Sequence, residues 1–104
     1  MSDNQSGWKV KFYMVYHDFS EREEHQLVYT PSFPSSSAIP ERESYVVLPA
    51  GYSDIQMELK VQELALNYAT QTVTILVDET YETDYGGLSL ELFKHPDWEI
   101  QTSK

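Results

Sequence analysis

The segment that decides the fold of this chain is residues 53–68, which read Ser53-Asp54-Ile55-Gln56-Met57-Glu58-Leu59-Lys60-Val61-Gln62-Glu63-Leu64-Ala65-Leu66-Asn67-Tyr68. Ser53 followed by Gln56 matches the capping box that starts many helices. One narrow helical stripe contains Met57, Val61, Leu64 and Tyr68. The start of the segment also alternates as a strand does, with apolar Ile55, Met57, Leu59 and Val61. We predict a helix over residues 54–68, because the start signal and the stripe agree, and keep a strand as the alternative.

Five other segments have the alternation or the β-branched composition of strands. They are residues 8–16, 25–30, 44–48, 72–77 and 88–93. We predict that the last two form a hairpin, whose connection is the acidic stretch between them. Leu76 is expected to be buried, because it lies in the most strand-like of these runs.

These elements predict an α+β fold, in which an antiparallel sheet of about five strands carries the helix on one face. The alternative fold is an all-β sandwich. Residues 1–7 are polar and are predicted to form a disordered leader, and residues 8–104 a single globular domain. Residues 31–40 contain three prolines and four serines, which predicts an irregular surface loop.

The charge of the chain limits its partners. Seventeen Asp and Glu against seven Lys and Arg give a net charge of -10. This charge argues against direct binding to nucleic acid, where Lys and Arg neutralise phosphates, and against docking on anionic membranes. No apolar run approaches the roughly 20 residues of a spanning helix, and the polar N-terminal residues do not resemble a signal peptide. We therefore expect a cytoplasmic protein.

Motifs for catalysis or cofactor binding are missing from the sequence. There is no cysteine, no nucleophile elbow and no glycine-rich phosphate loop. The histidines His17, His25 and His95 lack the spacing of a metal site, and the acidic stretch after residue 77 does not match an EF-hand. We expect no enzymatic activity, no cofactor and no dedicated metal site.

The strongest candidate for a functional site is the stretch of four carboxylates and two tyrosines that follows residues 72–77. The predicted partner-binding residues are Asp78, Glu79, Tyr81, Glu82, Asp84 and Tyr85. Carboxylates steer the encounter with a basic surface, and tyrosines add rigid contact area at low entropy cost. In extended backbone Tyr81, Thr83 and Tyr85 would share one face. A solvated loop with no partner is the alternative reading of this stretch.

The sequence thus favours a small acidic domain, monomeric or a small homo-oligomer, that occludes a basic surface on a partner protein. An inhibitor, an immunity factor or an adaptor would act in this way. The partner could be a nucleic-acid-binding protein, whose phosphate contacts the carboxylates would mimic. The rival hypotheses are a small enzyme with a histidine-carboxylate site and a structural subunit of a larger assembly.

Overall fold

The computed structural model describes residues 8–31, 39–51 and 54–102, and most of these residues lie in β-strands. The strands are β1 (Lys9–Asp18), β2 (Glu23–Tyr29), β3 (Tyr45–Pro49), β4 (Gln56–Asn67), β5 (Thr72–Val77), β6 (Thr80–Tyr81) and β7 (Trp98–Thr102). Two short 3-10 turns lie at Asp84–Gly86 and Leu90–Phe93. The predicted leader, most of the proline-rich loop and Ser53 of the predicted capping box lie outside the described residues.

The α+β prediction is wrong, because residues 56–67 form the long strand β4 and not a helix. In the described part of the chain, the longest helical element is the four-residue turn Leu90–Phe93. None of these helical turns has the length or the hydropathy needed to cross a membrane. Residues 8–31, 39–51 and 54–102 are therefore predominantly β, and no helix among them packs on the sheet.

The sheet is mixed and not antiparallel as predicted. Its strand order is β3-β4-β5-β1-β2-β7, and β6 also pairs with β1. β1 is antiparallel to β2 but parallel to β5 and β6. The sheet curls into a half-barrel, so the alternative of a two-sheet sandwich does not describe it either. The predicted hairpin is also wrong, because β5 pairs with β4 and β1, and residues 90–93 form a 3-10 turn.

A β-bulge in β4 explains why this strand resembles a helix in sequence. Val61 pairs with Val77 and Glu63 pairs with Leu76, so Gln62 is one residue more than the partner strand supplies. The bulge moves the apolar positions from odd to even numbers, and Leu64 then faces the same side as Val61. The resulting spacing of three residues is also the spacing of a helical stripe.

The core lies on one face of the sheet, here called the inner face. β1 contributes its even-numbered residues, Val10, Phe12, Met14 and Tyr16, and β5 contributes Val73, Ile75 and Val77. Leu88, Phe93 and Trp98, from the segment after β6, pack against them. The strand predictions for residues 8–16, 25–30, 44–48 and 72–77 are confirmed to within a few residues at their ends.

The prediction that Leu76 is buried is wrong. Leu76 is 36% exposed on the opposite, outer face of the sheet, whereas its neighbour Ile75 is 0% exposed. Alternation alone requires that one of two successive strand residues points away from the core. The apolar run 75–77 therefore supplies two core side chains and one surface side chain.

We expect Ile75→Ala to lower the free energy of unfolding by about 2 to 5 kcal/mol, because it leaves a cavity in the core. Leu76→Ala, which truncates a partly exposed side chain, should cost less than about 1 kcal/mol. Denaturant melts of both variants measure the difference. Equal losses from the two substitutions would contradict the assignment of faces.

Candidate functional site

The six predicted contact residues do not form one continuous face. Asp78 and Glu79 lie between β5 and β6, and Tyr81 lies in β6. The chain then turns at residues 82–83, and Tyr85 adopts a left-handed conformation with φ of 56°. The expectation that Tyr81, Thr83 and Tyr85 share a face in extended backbone is therefore wrong. Tyr81 and Tyr85 are both exposed, as a binding role requires, but that role stays a prediction.

Asp78, Glu79 and Tyr81 do come together, at an open depression in the outer face with a volume of about 480 Å³. The rest of its lining is Val15, Gln62, Leu76 and Val77. Two irregularities meet at this place. One is the bulge at Gln62, and the other is the break in pairing with β1 between β5 and β6.

The break arises because β1 and the segment that pairs with it, from β5 to β6, differ in length between their two paired regions. Tyr13 pairs with Leu76 and Tyr16 pairs with Thr80, so β1 advances three positions while its partner advances four. The extra residue carries Asp78 and Glu79 out of the pairing with β1, although the Asp78 N–H still donates to the Lys60 carbonyl of β4 at 3.0 Å. The side chains of these two residues are thereby placed at the rim of the depression rather than in a regular row of the sheet.

An aromatic stack stands beside the depression. The rings of His17 and Tyr81 lie parallel, with centroids 4.8 Å apart, and the Phe19 ring stacks on Tyr81 at 5.6 Å. Phe19 is 55% exposed and Tyr81 is 36% exposed. Stacking holds the rings in place while leaving apolar area in contact with water.

Glu79 lies at the rim of the depression and also contacts two rings of the aromatic stack. Its Oε1 lies 2.9 Å from His17 Nε2 and accepts a hydrogen bond of 3.2 Å from the Tyr81 hydroxyl. The other ring nitrogen of His17, Nδ1, lies 3.4 Å from Glu24 Oε2. The hydrogen bond to Glu79, together with its negative charge, raises the pKa of Tyr81, because both favour the neutral phenol. Tyr81 thus remains a donor to Glu79.

The other three predicted residues hold the loop in place. Glu82 accepts hydrogen bonds from the backbone N–H of Ser20 at 2.8 Å and from its hydroxyl at 3.0 Å. Asp84 Oδ2 accepts from the Tyr81 N–H at 2.9 Å, and the Tyr85 hydroxyl donates to the Glu58 carbonyl at 3.2 Å. These contacts give the three residues a structural role. Their part in partner binding stays a prediction.

Several residues of this site were missed at the level of the sequence. His17 and Phe19 lie beyond the predicted end of the first strand, although His17 continues its odd-numbered face. Carrying the alternation to the end of β1 would have placed His17 on the same face as Val15, whereas Phe19 lies in the turn just after β1 and had no such signal. The position of Gln62 had no comparable signal, because it depends on recognising the bulge.

The three histidines lie apart. His17 faces outward from β1, His25 is buried on the inner face, and His95 lies in the connection to β7. Within residues 8–31, 39–51 and 54–102, no group of three or more His, Cys, Asp or Glu side chains is placed to hold a metal ion.

Comparison of the chain with protein-family models, with curated proteins and with solved structures finds no match. The assignment of a function therefore depends on the chemistry of the site alone.

Tyr16 anchors the segment that follows the acidic stretch, and this contact predicts a pH dependence. Its buried hydroxyl donates to the Leu88 carbonyl at 2.6 Å, and burial raises its pKa from 10.0 to about 12. Because the folded state favours the neutral phenol, its contribution to stability is complete below about pH 10 and is lost as the pH rises towards 12.

We expect Tyr16→Phe to be about 1 kcal/mol less stable than the unsubstituted protein at neutral pH. Above pH 10 the difference should shrink, because the variant has no phenol to ionise at this position. Denaturant melts over a pH series measure both effects. A constant difference up to pH 12 would contradict a raised pKa for Tyr16.

Proposed function

We propose that this protein is a small acidic binding domain that covers a basic surface on a partner protein, as an inhibitor, an immunity factor or an adaptor does. The proposed contact surface is the outer patch, defined as Phe19, Leu76, Asp78, Glu79 and Tyr81. The observation that carries the proposal is the exposed stack of Tyr81 and Phe19 next to carboxylates that pair with no Lys or Arg in the described residues.

The aromatic stack supports a docking role because its rings are exposed and already ordered. Removing large exposed apolar side chains from water in an interface lowers the free energy of the complex. The His17 ring, stacked on Tyr81, restricts its motion, so little side-chain entropy remains to be lost on binding. Tyrosine in such a setting is typical of residues that dominate binding energy.

The charges support a basic partner. Lys and Arg ion pairs in the described part of the chain join Arg42 to Glu63 and Lys94 to Glu91, and neither pair includes a residue of the outer patch. The net charge of -10 adds a long-range attraction that raises the rate of encounter with a cationic surface. In a narrower form of the proposal, the partner is a nucleic-acid-binding protein, and the carboxylates occupy positions that phosphates would take.

The geometry of His17 favours binding over catalysis. A histidine-carboxylate enzyme needs a ring nitrogen that can exchange a proton with its substrate. Both ring nitrogens of His17 face carboxylates, at 2.9 Å from Glu79 and 3.4 Å from Glu24. The arrangement orders the ring, and a substrate would have to displace a carboxylate to reach either nitrogen.

We expect Tyr81→Ala to weaken partner binding by about 30-fold or more, the effect of a residue worth about 2 kcal/mol, with little change in stability. The measurement is quantitative capture from a lysate of the source organism by the immobilised protein, followed by affinity measurement with the purified partner. Binding should also weaken with added salt, because exposed charges are screened over about 8 to 10 Å.

Tyr45→Ala is the matched control, since Tyr45 is 61% exposed and lies on β3 at one edge of the sheet. The same partner should be retained by this variant. A partner that is lost with Tyr45→Ala and kept with Tyr81→Ala would place the contact surface elsewhere. Binding that is insensitive to salt would remove electrostatic attraction from the proposal.

A further inference from the structure

The depression beside the aromatic stack has the size and lining to receive one cationic side chain. We infer that it is the seat for an arginine of the partner protein, an inference that rests on the proposed function and names the group the outer patch recognises. The lining combines apolar Val15 and Leu76 with the carboxylates of Asp78 and Glu79 and the ring of Tyr81. These are the chemical features that a long, charged side chain requires.

The apolar part of the lining suits the arginine stem. Leu76 lies in a strand yet is 36% exposed, and Val15 lies near it on the same outer face. Arginine places its methylene groups on apolar surface while its guanidinium remains with polar groups. Seating the stem would cover Leu76, an apolar side chain that the protein itself leaves open to water.

The carboxylates suit the guanidinium because each has an oxygen to spare. Glu79 Oε1 is engaged by His17 and Tyr81, and Asp78 Oδ1 accepts a hydrogen bond from the Gln62 side chain. Among residues that the structure describes, none donates to Glu79 Oε2 or Asp78 Oδ2. A guanidinium has five N–H donors in a planar fork and can reach acceptors on two residues at once.

Tyr81 adds an aromatic wall to the same depression. The Tyr81 ring already stacks with His17 and Phe19, so its contribution is the part of the ring that lines the depression, where a cation near the ring is attracted by its quadrupole. An ammonium group is a compact point charge without the planar fork of donors that can reach Asp78 and Glu79 together, so lysine should occupy the depression less well than arginine. The preference for arginine over lysine therefore distinguishes this seat from general attraction to an acidic surface.

The shape of the depression favours a side chain of a protein over a free small molecule. Its volume of about 480 Å³ lies within the range of small-ligand sites, about 300 to 1,000 Å³, but it is open to solvent. An open site of this kind suits a side chain that enters from the solvent side while attached to its own backbone better than a free ligand that must be enclosed. Phe19 stacks on Tyr81 beside the depression. Its exposed ring can contact the backbone of the partner segment that carries the arginine.

The test is an amide NMR titration with three blocked tripeptides that differ only in the central residue between two glycines. The central residue is arginine, citrulline or lysine. Citrulline keeps the shape of arginine without its charge. The arginine peptide should shift resonances of Val15, Leu76, Asp78, Glu79 and Tyr81, the citrulline peptide should shift none, and the lysine peptide should bind several-fold more weakly.

Asp78→Asn should weaken binding of the arginine peptide by about tenfold, as expected for the loss of a charge-assisted hydrogen bond. The asparagine keeps an oxygen for the bond from Gln62, so the fold should persist. Asp54→Asn is the matched control, because it removes the same charge at an exposed position outside the depression. Equal losses of peptide affinity in the two variants would contradict an arginine seat in this depression. Amide resonance shifts spread over all acidic regions would contradict it as well.

The two proposals can fail separately. If Tyr81→Ala abolishes partner binding while the arginine and citrulline peptides behave alike, the outer patch is a docking surface without an arginine seat. If the arginine peptide binds at the depression but the partner is retained by Tyr81→Ala, the depression binds arginine and the proposed docking surface for this partner is wrong.

Discussion

Hydrogen bonding along both edges of β1 is the constraint on which the rest of the sheet depends. On one edge β1 pairs antiparallel with β2, and on the other it pairs parallel with β5, Lys9 lying opposite Thr72. A parallel partner cannot follow directly in the chain, so the intervening residues must return to the starting end of β1. β2, β3 and β4 lie on that return path. Since this pairing joins residues far apart in sequence, it must overcome a large loop-closure entropy before it stabilises the fold.

Local features of this fold could be predicted from the sequence, and long-range features could not. Alternation identified β1, and β-branched composition identified β5. Alternation could not identify β4 along its whole length, because the extra residue Gln62 shifts the buried positions by one and imitates helical spacing. Nor could it show that β5 pairs in parallel with β1, since nothing within either strand specifies its partner. The incorrect hairpin followed from assuming that neighbouring segments pair.

The same distinction between local and long-range features applies to the candidate site. The acidic and aromatic composition of residues 78–85 singled out Asp78, Glu79 and Tyr81, which the fold does bring to one depression. Their partner His17 is 62 positions away from Glu79 and meets it only because β6 resumes the pairing with β1. The composition also could not separate these three residues from Glu82 and Asp84, whose carboxylates accept hydrogen bonds from the backbone N–H groups of Ser20 and Tyr81. That distinction depends on where the chain turns.

The return of β6 to the ladder after Glu79 has a consequence for how the site can diversify. Asp78 and Glu79 lie outside the pairing with β1, yet the chain is paired with β1 on both sides of them, at Leu76 and again at Thr80. Side chains at the two unpaired positions can therefore be exchanged without altering the register of any strand or the inward alternation of the core. If residues 78 and 79 contact a partner as proposed, a sheet of this construction keeps recognition separate from folding, and related sequences would change partners by changing two neighbouring residues.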